Sequence, residues 1–182
     1  MLSAQPATRP AHAGTSLLLP RRVTHNRPRV LCLCTGGYCR SPLAAGLLSF
    51  HSGKLEVSCA GTTADHAGQE PALPTIVAVF ERTGGPFTYT PHLVTRDEIL
   101  KADLILCMAR EHRDWIGKHY PDARARTLLF ASMAGEGWDV PDPEVQSLDR
   151  IRPIAYLINQ VLRHGVGTIE TLALINHLKR AR

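Results

Sequence analysis

Apolar positions fall along this chain in blocks that switch between two periods. Val30 to Cys34 is a nearly continuous apolar run, as expected of a parallel strand covered on both faces, and Leu55–Cys59, Asp103–Met108 and Arg126–Phe130 read as three further short strands. Between them the spacing changes to three and four. Leu43, Leu47 and Phe50 predict a helix after the first strand, and Leu73, Ile76, Val79 and Phe80 predict another, closed by Gly84-Gly85. Thr95 and Glu98 have the spacing of a capping box and open a short helix with Ile99 and Leu100 inward. His112, Trp115 and Ile116 mark the buried side of a helix that stops at Tyr120-Pro121; His112 has no partner at metal spacing and reads as a boundary histidine. Ile151, Ile154, Ile158, Val161 and Leu162 line a long helix that Gly165 ends, with Asp149 as a candidate cap. Thr168 to Arg182 then forms a further amphipathic helix, a candidate for packing on the domain, pairing two chains in a homodimer, or meeting a partner. Alternating strand and helix is the signature of an open α/β sheet.

Composition refines this picture in two places. The 182 residues suit one domain, and no apolar run approaches the ~18 residues of a membrane span, so no membrane role is expected. The net charge of +5 is concentrated at the start, where residues 1–28 hold Arg9, Arg21, Arg22 and Arg27 and no acid. The remainder is close to neutral, so the high pI describes a basic, disordered tail (1–27) rather than a nucleic-acid face. Leu17 to Leu19 is too short for a secretory core. Five cysteines, an odd number without a CxxC pair, suggest neither a disulfide framework nor a zinc site, and point to a reducing cytoplasm.

The chemistry concentrates between the first strand and its helix. Ser41 is a candidate N-cap and Pro42 suits the first helical position, so the loop from Cys34 to Arg40 must turn tightly with its N–H groups aimed over a helix N-terminus, which makes an anion site. It is neither a Walker loop, which needs Lys followed by Ser or Thr, nor a dinucleotide loop with three spaced glycines. A cysteine opens it and an arginine closes it. Amide dipoles, the helix N-terminus and the guanidinium all favour a thiolate, and a thiolate under a bound phosphate is a nucleophile.

This stretch, CTGGYCRSP, resembles the catalytic loop of the low-molecular-weight protein tyrosine phosphatases, C-x-G-N-x-C-R-S-P. The resemblance covers about Arg29 to Gly165 as the domain (28–165), with 166–182 as an extra helix. It implies a four-stranded parallel sheet with helices on both faces and the active site at the strands' carboxyl ends. It also implies a metal-free, cofactor-free phosphomonoester hydrolase. Thr35, Gly36, Gly37, Tyr38, Cys39 and Arg40 would hold phosphate, Cys34 would attack it, and Ser41 would hydrogen-bond the sulfur. Asp142, in Asp142-Pro143, would be the general acid, with Asp139 as the competitor for that role. Cys39 would capture an oxidised Cys34 as a disulfide, making it a redox partner.

Departures from the pattern are informative. The loop asparagine is Gly37, the serine of the neighbouring turn is Cys59, and a family histidine aligns with Tyr89, so a working but looser loop is expected. Phosphotyrosine-specific members place aromatics where this chain has Asp65 and Glu144-Val145, leaving Tyr38 and Trp138 as substitutes. The expected partner is a phosphorylated protein or small phosphomonoester, and acidic walls favour one carrying positive charge, such as phosphoarginine, or a sugar phosphate. Two rival readings are a thiol-dependent arsenate reductase, for which Cys107 lacks a second cysteine near Asp114, and a phosphate-binding module without turnover.

Overall fold

The strands β1 (Arg29–Cys34), β2 (Glu56–Gly61), β3 (Leu104–Cys107) and β4 (Thr127–Leu129) form one parallel sheet in the order β2-β1-β3-β4 in a computed structural model that describes residues 27–143 and 145–181. The expected basic tail lies outside the described residues except for Arg27, as does Glu144. Central β1 and β3 have no solvent-facing side, which is why their sequences read as continuous apolar runs. Val30, Cys32, Leu104 and Leu106 pack on one face against α1 (Arg40–His51), α2 (Leu73–Thr83) and α5 (Leu148–Arg180). Leu31, Leu33, Ile105 and Cys107 pack on the other against α3 (Arg96–Lys101) and α4 (Arg110–His119). The chain moves outward from β1 to β2, then crosses to β3, so the carboxyl ends of β1 and β3 flank the switch point where open sheets bind ligands.

Local signals set the start of α3 and the end of α2. Thr95 and Glu98 form the expected capping box, and Gly84 closes α2 at φ 68°. Three helical faces differ from the apolar pattern. Phe50, Leu73, Phe80 and Leu100 are exposed, while Leu48, Thr75 and Ala78 are buried. Where α1 meets α2 the cause is a close approach: a Cβ on Gly46 would lie 2.9 Å from Val79 Cγ1. Small residues rather than large ones occupy such a contact, and the helices turn to present them. Ser41 is not the cap of α1, which begins at Arg40 with Cys39 in the cap position and no side-chain cap. The Ser41 side chain bonds Cys34 and the Ala60 carbonyl in the loop between β1 and α1 instead.

The largest difference is at the carboxyl end. There is no break at Gly165, and α5 runs unbroken through 33 residues. Gly165 serves packing, since a Cβ there would meet the Met133 carbonyl oxygen at 2.6 Å. Beyond it the helix remains attached to the domain. Glu170 accepts from the Ser52 hydroxyl (2.7 Å) and from Lys54 Nζ (2.8 Å), and Ile169 and Ala173 are buried. Buried Asp103 accepts from the Arg29 N–H (2.8 Å), pairs with His177 (3.0 Å) and Arg180 (3.2 Å), and so fastens the end of α5 to the feet of β1 and β3. Arg180 also donates to the Leu100 and Ala102 carbonyls, which lie at the end of α3. None of the described helices is long and apolar enough to cross a membrane.

Two neighbouring glycines on α5 give a paired test. Gly167 has open space around its Cβ position, so Gly167→Ala is expected to stabilise the fold by up to about 1 kcal/mol. Gly165→Ala gains the same propensity but drives a methyl into the Met133 backbone, for a net loss of about 1–3 kcal/mol. Urea unfolding of both variants measures the opposite signs.

Candidate active site

The loop after β1 is shaped by backbone contact with the end of β2. Gly37 has φ 63°, a conformation glycine adopts without strain, and a Cβ on it would lie 2.7 Å from the Gly61 nitrogen. A Cβ on Gly61 would lie 2.6 Å from both the Gly36 carbonyl carbon and the Thr35 oxygen. The loop therefore rests directly on the β2 backbone, with no room for side chains between them. Thr62 N–H donates to the Cys34 carbonyl and Thr63 N–H to that of Thr35, both at 2.9 Å. The N–H groups of Tyr38, Cys39, Arg40 and Ser41 have no protein acceptor among the described residues. They are the open donors of a helix N-terminus and can take up an anion.

Cys34, Thr35, Gly36, Tyr38, Cys39, Arg40, Asp65 and Asp142 line one pocket of about 180 Å³ together with His66 and Gln146. Cys34 Sγ lies 3.0 Å from Ser41 Oγ, which also donates to the Ala60 carbonyl at 3.1 Å. A thiol can donate to that hydroxyl; once the sulfur is a thiolate, the hydroxyl proton can turn to it instead. Buried Arg40 donates through Nη2 to Thr35 Oγ1 (3.0 Å) and to Asp142 Oδ2 (2.5 Å), and its Nε and Nη1 have no protein acceptor among the described residues. Burial pushes the Cys39 thiol up to about 12, so at neutral pH it is protonated.

The two candidate acids separate by position. Asp139 accepts from the Arg110 N–H (3.1 Å) at the start of α4 and pairs with the Arg110 guanidinium, away from the pocket. Asp142 reaches Arg40 and is largely exposed. Val140, buried and donating to the Met108 carbonyl at 2.7 Å, anchors the segment between them to the end of β3. Trp138 packs against the core and does not line the pocket, contrary to its expected place in the cleft. Asp65 does line it, accepting from the Thr63 hydroxyl at 2.7 Å. Cys107 is fully buried in β3 and absent from the pocket.

Three contributors were not evident from residue pattern. Tyr89 donates to the Tyr38 carbonyl (2.6 Å) and accepts from the Ala72 N–H (2.9 Å), so the loop is braced from this position and not loosened there. The His66 ring stacks on Tyr38 with centroids 4.2 Å apart. Buried His112 joins Thr35 Oγ1 through Nε2 at 3.0 Å, so it is tied to the loop and is more than a boundary residue. Only Thr35-to-His112 proximity through the β1–β3 pairing could have signalled it, and that requires the strand order.

Removing the Tyr89 hydroxyl leaves the Ala72 N–H and the Tyr38 carbonyl without this partner. Tyr89→Phe is expected to destabilise the fold by about 1–3 kcal/mol. Hydrogen exchange should quicken at Ala72, and an unchanged unfolding midpoint and exchange rate would remove Tyr89 from the brace.

Comparison with known proteins bears on the same stretch of chain. A family model described as low molecular weight phosphotyrosine protein phosphatase matches residues 29–173. The chain is 31% identical over 121 residues to the low molecular weight protein-tyrosine-phosphatase Etp of Escherichia coli K12, covering 66% of this chain and 80% of that one. It is 31% identical over 117 residues to a protein-arginine-phosphatase of Geobacillus stearothermophilus, covering 63% and 78%. The solved structure of the YwlE arginine phosphatase from Geobacillus stearothermophilus superposes with a TM-score of 0.72 at 26% identity, over 80% of this chain and 95% of that one. With a match running from the first residue of β1 well into α5, and containing the loop whose amides stay open beside the pocket, the chain belongs to the low molecular weight phosphotyrosine protein phosphatase family.

Proposed function

We propose that this chain hydrolyses phosphomonoesters through a cysteinyl-phosphate on Cys34, with Arg40 and the loop amides holding the phosphoryl group and Asp142 as general acid and base. The observation that carries the reading is the convergence of Cys34, Arg40 and Asp142 on one pocket above amides that lack protein acceptors. A bound phosphate dianion takes the place of the Asp142 carboxylate on Arg40 Nη2 and is held by Nη2 together with the neighbouring open Nε or Nη1 as a fork. Sulfur attacks phosphorus in line; the P–O bond to the leaving group breaks, and Asp142 in its acid form delivers the proton to that oxygen. In the second step the Asp142 carboxylate takes a proton from water, the oxygen attacks phosphorus, and the P–S bond breaks. Ser41, 3.0 Å from the sulfur, donates a hydrogen bond to the departing thiolate and keeps its proton. Cys39, in the same pocket, is the candidate partner for an oxidised Cys34.

The pocket also bears on the substrate. Asp65 and Asp142 stand at its rim, and Arg40 is its one Lys or Arg among the described residues. Like charges disfavour an acidic peptide and favour a phosphorylated group that carries positive charge, a reading that the arginine-phosphatase relative supports. The Tyr38–His66 stack supplies an aromatic edge for an aryl group, though stacking of this kind contributes only about 0.5–1.5 kcal/mol.

Hydrolysis of p-nitrophenyl phosphate is expected to resist EDTA, to be blocked by vanadate and to vanish in Cys34→Ser; loss on chelation, or activity in Cys34→Ser, refutes the assignment. Asp142→Asn is expected to slow alkyl phosphates by about 10²- to 10⁴-fold and p-nitrophenyl phosphate far less, because only a poor leaving group needs the proton. If Asp139→Asn shows that pattern instead, the acid is misassigned. Values of kcat/KM are expected to be higher for phosphoarginine and for basic-flanked phosphotyrosine peptides than for acidic-flanked ones. A clear preference for the acidic peptide would show that Asp65 does not govern selection.

A further inference from the structure

We propose that His112 is a positioning residue for the phosphate-binding arginine, acting through the hydroxyl of Thr35; the inference rests on the phosphatase reading of the pocket. His112 sits in the first turn of α4, on the opposite face of the sheet from α1, and is buried. Its two ring nitrogens have different partners. Nδ1 accepts from the Ala109 N–H at 3.0 Å, which places the ring proton of the neutral form on Nε2. Nε2 lies 3.0 Å from Thr35 Oγ1 and 3.2 Å from Glu111 Oε1. Burial, followed by the positive charge of Arg40, holds the ring down to about 4, against a smaller opposing pull from Asp139, so the neutral tautomer is the working form.

The hydrogen bonds then run in one direction. Nε2–H donates to Thr35 Oγ1, and Arg40 Nη2–H donates to the same oxygen from the other side, also at 3.0 Å. The Thr35 hydroxyl thus accepts twice, and its own proton faces Glu111 Oε1 at 3.5 Å. Among the described residues Arg40 has two protein partners, Thr35 and Asp142, and an incoming phosphate displaces Asp142. During the reaction Thr35 is therefore the guanidinium's remaining protein anchor, and the orientation of that anchor is set by His112. A guanidinium free to rotate about its last bonds would meet phosphate at the cost of ordering it; one already held presents its fork without that cost. The α4 helix, none of whose residues lines the pocket, thereby governs the geometry of the phosphate site.

Two substitutions separate this role from simple packing. His112→Asn keeps an acceptor where Nδ1 stands, for the Ala109 N–H, but loses the donor to Thr35. His112→Gln does the reverse, placing an amide nitrogen where Nε2 stands. The measurements are KM and kcat for p-nitrophenyl phosphate, the inhibition constant of inorganic phosphate, and the melting temperature. His112→Asn is expected to raise both KM and the phosphate constant about tenfold while melting close to the native protein. His112→Gln is expected to melt lower yet recover most of the phosphate affinity. Thr35→Val, which leaves His112 untouched, should raise the phosphate constant to the same degree, and adding His112→Asn to it should cost little more. A native phosphate constant in His112→Asn or in Thr35→Val, or independent multiplication of the two effects, overturns the proposal. Should His112→Asn fail to fold, Thr35→Val alone decides. A native protein that neither hydrolyses p-nitrophenyl phosphate nor binds phosphate would instead overturn the phosphatase reading itself.

Discussion

The active loop depends on one contact between backbones. The backbone of Thr35, Gly36 and Gly37 lies on that of Ala60 and Gly61 at a separation where a Cβ on Gly37 or Gly61 would collide, and the neighbouring interactions follow from that approach. It sets the Ser41 hydroxyl against the Ala60 carbonyl and Cys34 Sγ. It also fixes the Cys34 and Thr35 carbonyls as acceptors for Thr62 and Thr63, so the loop's oxygens turn outward to β2 and its following N–H groups remain open at the start of α1. A site for a dianion made this way needs few charged side chains, since the amide dipoles and one guanidinium supply the field. Bracing is distributed over Tyr89, His112 and the glycine contact, three groups from three segments of chain.

The resting electrostatics of the pocket are internally balanced. The Arg40 guanidinium is buried, and the Asp142 carboxylate pairs with it from the largely exposed side. A buried charge without a partner is costly, and the Asp142 carboxylate supplies one for Arg40. In the proposed reaction the same contact links binding to chemistry, because a phosphate that takes over Arg40 frees Asp142 for proton transfer. Asp139, tied to Arg110 at the head of α4, holds the root of that loop, so the two acids of one short segment have different surroundings and different work.

The carboxyl-terminal half of α5 has a role in the frame rather than beside it. Its attachment through Glu170, Asn176, His177 and Arg180 closes the foot of the sheet, opposite the pocket. Asp103 collects several of these bonds at the start of β3. Leu174, Ile175 and Leu178 face solvent on the same stretch.

What the sequence determined by itself was everything carried by neighbours along the chain. Apolar runs marked β1 and β3 because central strands are covered on both faces, and Cys34-x5-Arg40-Ser41 with Asp142-Pro143 marked the site because loop chemistry is written in consecutive residues. Tertiary structure decided what depends on distance between segments. Gly165 reads as a helix end in sequence, and only the approach of Met133 makes it a packing position inside α5. Tyr89 reads as a lost histidine, and only the fold brings its hydroxyl to the Tyr38 carbonyl. His112 reads as an ordinary residue on a helix face, because its partner, Thr35, is 77 positions away and is brought near by the pairing of β1 with β3. A hydrogen bond of that kind leaves no period and no spacing in the chain, since its geometry is set by strand order and not by either residue's neighbours.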